Sequence, residues 1–244
     1  MGEIQTCFRR VEKKYLLTYE QYTDMKKGMA PYVRPDAYSH YTLCNVYYDT
    51  PDYRLIQCSL EKPVYKEKLR VRSYGIPKWN DQVFVELKKK FDGVVYKRRI
   101  TLDASSAENW LSGEKEETAS QISREIQWFL RAYPVVPKVF IGYDREAYAG
   151  IENSELRITF DTNLRGRDWD VDLQSGDYGE RILPAHQILM ELKIPDSAPM
   201  WLSHLLSENG IFSSSFSKYG TYYKEIIGAL PTWGAYLKGD RKYA

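Results

Sequence analysis

The sequence predicts an α+β protein built on an antiparallel β-barrel of about eight strands, decorated by helices. Three observations support this fold class. Tyrosine supplies 21 of the 244 residues, an aromatic content typical of strands. Much of the chain consists of short segments in which apolar and polar residues alternate, and most are joined by short turns. Helical spacing is confined to a few inserts and to the C-terminal end.

The first half of the chain is predicted to consist mostly of strands. Residues 8–17 alternate as a strand does, and the polar segment 19–29 reads as a helix. Alternating apolar positions predict further strands over 41–48, 66–74, 82–90 and 94–102. The sequence 49–51 (DTP) ends the first of these, and 91–93 (FDG) forms a glycine-containing hairpin turn between the last two.

The pattern changes to helical spacing after residue 104. Ile122, Ile126 and Phe129 fall on one helical face, and Pro134 ends it, so a helical insert is predicted over about 105–133. Strands are predicted to resume over 138–148, 156–162 and 187–194, and C-terminal helices follow over about 199–230. Because there is no internal repeat or low-complexity linker, residues 1–244 are predicted to form a single domain.

Composition and motifs exclude several classes of protein. The net charge of +2 argues against a uniformly basic nucleic-acid coat. No apolar segment is long enough to span a bilayer, and the first residues lack the apolar core of a secretory signal. Three unpatterned cysteines indicate reduced thiols, so the predicted location is cytoplasmic. Neither a histidine-based zinc motif nor a P-loop or Rossmann glycine motif is present.

Charged residues alternate along the predicted strands with period two. Lys66, Lys68, Arg70 and Arg72 therefore share one face of a strand. Residues 62–99 contain twelve basic and four acidic residues, a local charge of +8. One interpretation is the solvated outer face of a sheet. However, like charges on neighbouring strands repel unless an anion lies among them, which favours an inward ring of donors for a chain of phosphates.

Four carboxylates share the face of these cations. We expect such inward carboxylates to hold Mg²⁺ or Mn²⁺ together with phosphate oxygens. They are Glu12, Glu86, Asp161 and Glu191.

An ordered set of short motifs resembles the VTC domain, a polyphosphate polymerase module of the triphosphate tunnel (CYTH-like) superfamily. The resemblance covers about residues 8–228, and no single motif in it is specific. In chain order the motifs are RVEKKY, KLRVR, VELKKK, YKRR, YDR, LRITFD, MELK and FSKY.

The resemblance implies a closed antiparallel eight-stranded β-barrel that forms a tunnel lined by basic residues. It implies transfer of the γ-phosphate of ATP to the end of a polyphosphate chain, with Mn²⁺ or Mg²⁺ as cofactor. ATP and polyphosphate are the expected partners, and no nucleic acid is expected. Together, the resemblance and the alternation assign catalytic roles to Arg70, Arg72, Lys88 and Lys218. They assign substrate binding to Arg10, Lys14, Lys68, Lys97, Arg99, Tyr143, Arg145, Arg157, Lys193 and Ser217. The expected metal ligands are Glu191 and Glu12.

Two departures from the motifs bear on the two alternative functions, a tunnel triphosphatase and a binding module. Arg10 replaces the first Glu of the superfamily's ExExK motif, as in the VTC branch, which disfavours a tunnel triphosphatase acting on tripolyphosphate or on a nucleoside or thiamine triphosphate. Ser215 stands where the polymerases carry a further Lys. That second change leaves a non-catalytic polyphosphate- or nucleotide-binding module as an alternative.

Overall fold

The computed structural model describes residues 11–92, 94–113, 120–195 and 197–228. The strands in these ranges are β1 Val11–Thr18, β2 Val33–Asp49, β3 Tyr65–Tyr74, β4 Gln82–Phe91, β5 Val94–Asp103, β6 Val136–Gly150, β7 Arg157–Arg167, β8 Glu180–Arg181 and β9 Gln187–Ile194. The helices are α1 Tyr19–Met29, α2 Arg54–Leu60, α3 Ala104–Leu111, α4 Gln121–Ala132, α5 Met200–Glu208 and α6 Lys218–Tyr222, and α6 continues as a π-helical turn over Tyr223–Ile227. None of the described helices has the length and apolarity needed to cross a membrane.

The strands form one antiparallel sheet in the order β1-β9-β7-β6-β2-β3-β4-β5, and the short β8 pairs with β7. The prediction of a closed barrel is wrong, because β1 and β5 are the two edges and share no backbone ladder within the described ranges. Part of the free edge of β1 is taken by another segment, since the Ser214 amide donates to the Lys14 carbonyl at 2.7 Å. Side chains still reach across the gap, where Lys97 Nζ lies 3.8 Å from Glu12 Oε2.

The two faces of the sheet have different chemistry, as the alternation predicted. The outer face carries apolar residues such as Tyr15, Val85 and Met190, all of which are buried. Helices α1 and α5 contribute to one apolar cluster with β1, β7 and β9, and α3 and α4 contribute to a second with β2, β3 and β4. The predicted helical insert is thus two helices. Because the apolar residues pack outward against helices, the alternate charged residues must point inward.

Part of the inner face is covered by α2 and α6. Tyr219 of α6 stacks on Tyr47 of β2 with ring centroids 4.9 Å apart, and Tyr222 is fully buried. Gly166 of β7 allows this close approach, since a side chain there would come within 2.6 Å of the Tyr222 ring. The apolar packing by α2 and α6 leaves the remainder of the inner face as an open cavity.

The carboxylate of Asp49 ties β2, α2 and α6 together. It accepts hydrogen bonds from the amides of Leu55 and Ile56, at 2.9 and 3.0 Å, and from the Tyr219 hydroxyl at 2.9 Å. Asp49 is fully buried, so no water can replace these bonds. Helix α2 itself was not predicted, because its seven residues are too few to show a helical period.

We predict that Asp49→Ala lowers the free energy of unfolding by about 3 kcal/mol, because buried donors lose their acceptor. Urea denaturation of the purified variant measures this change. The matched control is Asp52→Ala, which removes an exposed carboxylate that accepts from the Thr50 hydroxyl, and we expect it to lower the free energy of unfolding far less. Equal losses in the two variants would contradict the role given to Asp49.

Candidate functional site

A cavity of about 370 Å³ opens on the inner face of the sheet and is lined mainly by charged side chains. It gathers residues from β1, β2, β3, β4, β5, β6 and β9 together with the start of α6. The residues predicted from sequence that line it are Glu12, Lys14, Lys68, Arg70, Arg72, Lys88, Lys97, Arg99, Tyr143, Arg145, Glu191, Lys193, Ser217 and Lys218. The cavity therefore brings together residues that are up to about 200 positions apart in the chain.

Two predicted site residues are not placed in this cavity. Arg157 lies on the same face of β7 as Thr159 but nearer its start, where it pairs with Asp36 of β2. Both of these side chains are partly exposed, at 40% and 37%, and Arg157 is not part of the cavity lining. Arg10 lies outside the described residues, so its predicted role keeps the status of a prediction.

Glu86 holds a group of arginines at one side of the cavity. The strand register places Arg70, Glu86 and Arg99 side by side across β3, β4 and β5. Glu86 accepts from Arg70 Nε at 2.7 Å and from Arg99 Nε at 2.8 Å, and Arg72 Nε lies 3.7 Å away. Burial alone would raise the pKa of Glu86, but the three guanidiniums outweigh it and lower that pKa to about 2. Glu86 is therefore an arginine-positioning carboxylate, and its predicted role in metal binding stays a prediction.

A second charge cluster joins β6, β7, β9 and α6. Arg145 makes a bidentate pair with Asp161, with Nε–Oδ1 and Nη2–Oδ2 distances of 2.6 and 2.7 Å. Lys218 Nζ lies 2.6 Å from Asp161 Oδ2 and 2.9 Å from Glu191 Oε1. Glu191 also accepts from Arg145 at 3.1 Å. Two carboxylates thus neutralise two cations, which is what allows all four groups to be buried.

The pKa of Glu191 follows from this cluster. Burial would raise it, but Lys218, Lys14 and Arg145 hold it well below its usual range. Glu191 is therefore ionised at neutral pH.

Two polar residues of β2 were missed by the sequence analysis. Tyr47 accepts a hydrogen bond from Arg70 Nη1 at 3.2 Å, and Asn45 Oδ1 accepts one from Arg72 Nε at 3.1 Å. Both residues lie opposite their arginine in the β2–β3 ladder and orient its guanidinium. A signal was present in the sequence, because Asn45 and Tyr47 share one face of a strand whose other face is apolar.

The two residues predicted to bind a metal, Glu12 and Glu191, both lie in the cavity. Glu12 and Glu191 lie on one face of the β1–β9 pair, and the nearest cations to Glu12 are Lys97 at 3.8 Å and Lys14 at 3.9 Å. Burial raises the pKa of Glu12, but its cationic neighbours outweigh this and lower it. No group of three or more acidic, histidine or cysteine ligands occurs among the described residues. Mg²⁺ and Mn²⁺ are commonly held by one or two carboxylates with phosphate oxygens and water completing the shell. Glu12 and Glu191 supply two such carboxylates, and both oxygens of Glu191 are also bound by Lys218 and Arg145, so their role as metal ligands stays a prediction.

Comparison with known protein families finds a match over most of the chain. The profile of the VTC domain matches residues 9–227. The chain belongs to the VTC domain family. Subunit 4 of the vacuolar transporter chaperone complex of Schizosaccharomyces pombe is 24% identical to this VTC domain over 253 aligned positions, covering 83% of this chain and 34% of the relative. The VTC domain described here thus spans about a third of the length of that protein.

Solved structures are similar to this VTC domain in fold. A Bacillus halodurans protein named as a candidate adenylate cyclase superposes with a TM-score of 0.54 at 14% identity, covering 85% of this chain and 93% of the other. Hippeastrum HpAC1, named as an adenylyl cyclase and described as having a dominant triphosphatase activity, superposes with a TM-score of 0.54 at 16% identity, covering 88% and 95%. At these identities the likeness establishes the fold alone.

We predict that Glu86→Gln makes the free energy of unfolding depend less on pH in the acidic range. The folded-state pKa of Glu86 is about 2 against 4.5 for the ordinary carboxyl, so its contribution is present above about pH 4.5 and is lost as pH falls toward 2. The variant should be less stable than the parent by about 3 kcal/mol at pH 7, and the difference should shrink between pH 5 and 2. Urea denaturation across this range tests it, with Asp24→Asn as the control, because that side chain is about half exposed and lies outside the cavity. A difference that stays constant with pH would contradict the assignment.

Proposed function

We propose that this VTC domain is a metal-dependent phosphotransferase that makes polyphosphate from ATP. The observation that carries the proposal is the charge of the cavity, whose lining contains eleven Lys and Arg residues and three carboxylates. A surplus of that size repels itself unless a polyanion fills the cavity. Membership of the VTC domain family supports the same ligand class.

The cations fall into two groups that suit different tasks. Arg70, Arg72 and Arg99 are held by Glu86, so their guanidiniums are already oriented before a ligand arrives. Lys68, Lys88 and Lys97 form the next row across β3, β4 and β5, and that row contains no carboxylate. Oriented guanidiniums match phosphoryl oxygens in two-bond geometry, whereas lysines act as adaptable point charges. A chain of phosphates can bind along both rows.

Phosphoryl transfer requires positioning and charge neutralisation and no protein nucleophile. In the proposed reaction, a terminal oxygen of polyphosphate attacks the γ-phosphorus of ATP, and the bond to the β-phosphate oxygen breaks to release ADP. Arg70, Arg72, Lys88 and Lys218 neutralise the charge on the transferred group and on the leaving oxygen. Mg²⁺ or Mn²⁺ held by Glu191 and Glu12 would add further neutralisation of the phosphate oxygens.

The first test is the set of products formed from ATP. Purified protein incubated with ATP and Mn²⁺ should yield ADP and long polyphosphate, separated by gel electrophoresis and quantified by ³¹P NMR. Formation of ADP with orthophosphate alone would replace the proposal with a triphosphatase. Binding of ATP or polyphosphate without turnover, across several divalent metals, would replace it with a binding module.

The second test is a matched pair of lysine substitutions. Lys88→Ala should lower kcat/KM for polymer formation by about 10²-fold, because it removes one cation from the phosphate site while sparing the apolar core. Lys13→Ala removes an exposed lysine whose position on β1 alternates with inward Lys14, and it should leave kcat/KM unchanged. Melting temperatures should change by no more than a few degrees in either variant. Similar kinetic losses in both variants would contradict the site assignment.

A further inference from the structure

Lys68 differs from several other lysines of the cavity in its partners. Lys14, Lys97 and Lys218 each lie within 4.0 Å of a carboxylate oxygen, with distances of 3.5, 3.8 and 2.9 Å. Lys68 makes no such ion pair with any residue in the described ranges. Its hydrogen bond goes to a neutral group, the Ser217 hydroxyl, at 3.3 Å. The ammonium form of Lys68 therefore has no nearby counterion within those ranges.

Most of the charged groups that face Lys68 are also cations, so they repel its ammonium form. Lys88 of β4 lies directly opposite it in the ladder, Lys66 lies on the same face of β3, and Lys14 approaches from β1. Asp49 at the end of β2 acts in the other direction, but it is engaged with α2 and α6. Burial, followed by repulsion from the three lysines, lowers the pKa of Lys68 to about 7. In a large fraction of the protein molecules, Lys68 is thus the neutral amine at physiological pH.

A neutral amine beside other cations is a nucleophile. Proteins activate lysine in this way for imine formation with carbonyl compounds, because neighbouring positive charge favours loss of the ammonium proton. Here the same neighbours also form an anion site, with Arg70 two residues along β3 and Lys88 opposite. A ligand that carries both a phosphate and an aldehyde can therefore be anchored by one end and react at the other.

We propose that Lys68 is a covalent modification site that forms an imine with small phosphorylated aldehydes held in the cavity. The Lys68 nitrogen attacks the carbonyl carbon, and a carbon–nitrogen bond forms. The carbonyl oxygen takes up the two protons that the nitrogen loses and leaves as water, so the step needs no oxidant or reductant. This chemistry has no part in phosphoryl transfer, and it stands or falls separately from polymer formation because it is measured without ATP.

Pyridoxal 5′-phosphate is the probe. The full-length protein is incubated with it, the imine is fixed by borohydride, and the modified lysines are identified by peptide mass spectrometry. Lys68 should be labelled at least 10-fold faster than exposed Lys13 and Lys27, and its labelling rate should rise with pH through about 7. Tripolyphosphate should suppress the labelling, since it occupies the cavity and favours the ammonium form. Pyridoxal, which lacks the phosphate, should react at least 10-fold more slowly.

Three results would overturn the proposal. They are labelling in proportion to exposure, labelling of Lys88 ahead of Lys68, and equal rates with pyridoxal and its phosphate. Because peptide mapping of the parent protein gives each of these results, the test does not depend on a variant that folds.

Two substitutions at Lys88 test the role of its charge. Lys88→Met should move the pH midpoint of Lys68 labelling upward, because a repelling charge is lost, whereas Lys88→Arg should leave the midpoint in place. Lys68→Arg should abolish the adduct with an unchanged circular dichroism spectrum. Identical midpoints in the Met and Arg variants would contradict activation by the neighbouring cation.

Discussion

The pairing of inward carboxylates with inward arginines and lysines is the interaction on which the rest of the structure depends. A sheet whose inner face carries cations in adjacent rows repels itself, and Glu86 and Asp161 relieve part of that repulsion at two separate places. Each carboxylate binds cations from other elements, so it fixes strand positions as well as charge. The apolar residues of the outer face are buried under helices and stabilise the fold, so the inner face can remain polar.

This arrangement divides the cations of the cavity into neutralised and uncompensated ones. Arg145 and Lys218 are paired with Asp161 and Glu191 in a buried cluster of two cations and two carboxylates, so less of their charge is left unmatched. The row Lys68, Lys88 and Lys97 contains no carboxylate, although Lys97 at its end pairs with Glu12 of β1 at 3.8 Å. The proposed polyanion would gain most binding energy along this row, where the protein has left charge unmatched.

Which charged side chains point inward could be predicted from sequence, because strand side chains alternate with a period of two. Once one residue of a strand is assigned to a face, the faces of the others follow. The expectation that Arg70, Glu86 and Glu191 face one interior came from that rule together with the resemblance to the VTC domain. Closure of the sheet could not be predicted, because it depends on which segment takes the free edge of β1, and Ser214 has no strand pattern around it. Arg157 shows a second limit. The alternation assigned it to the correct face, but it does not say how far along the strand a side chain lies or that Asp36 would bind it.

The lysines of the cavity that lack a carboxylate partner affect both the stability of the folded protein and its binding of anions. Uncompensated lysines raise the free energy of the folded protein when the cavity holds no anion, because their repulsion is absent in the extended chain. A bound polyanion removes that repulsion, so it stabilises the folded protein by an amount that grows with the ratio of ligand concentration to Kd. A further carboxylate among these lysines would stabilise the empty protein and weaken its hold on phosphate to a similar extent. The row of lysines that destabilises the folded protein is thus the part of the inner face to which a phosphate chain can bind.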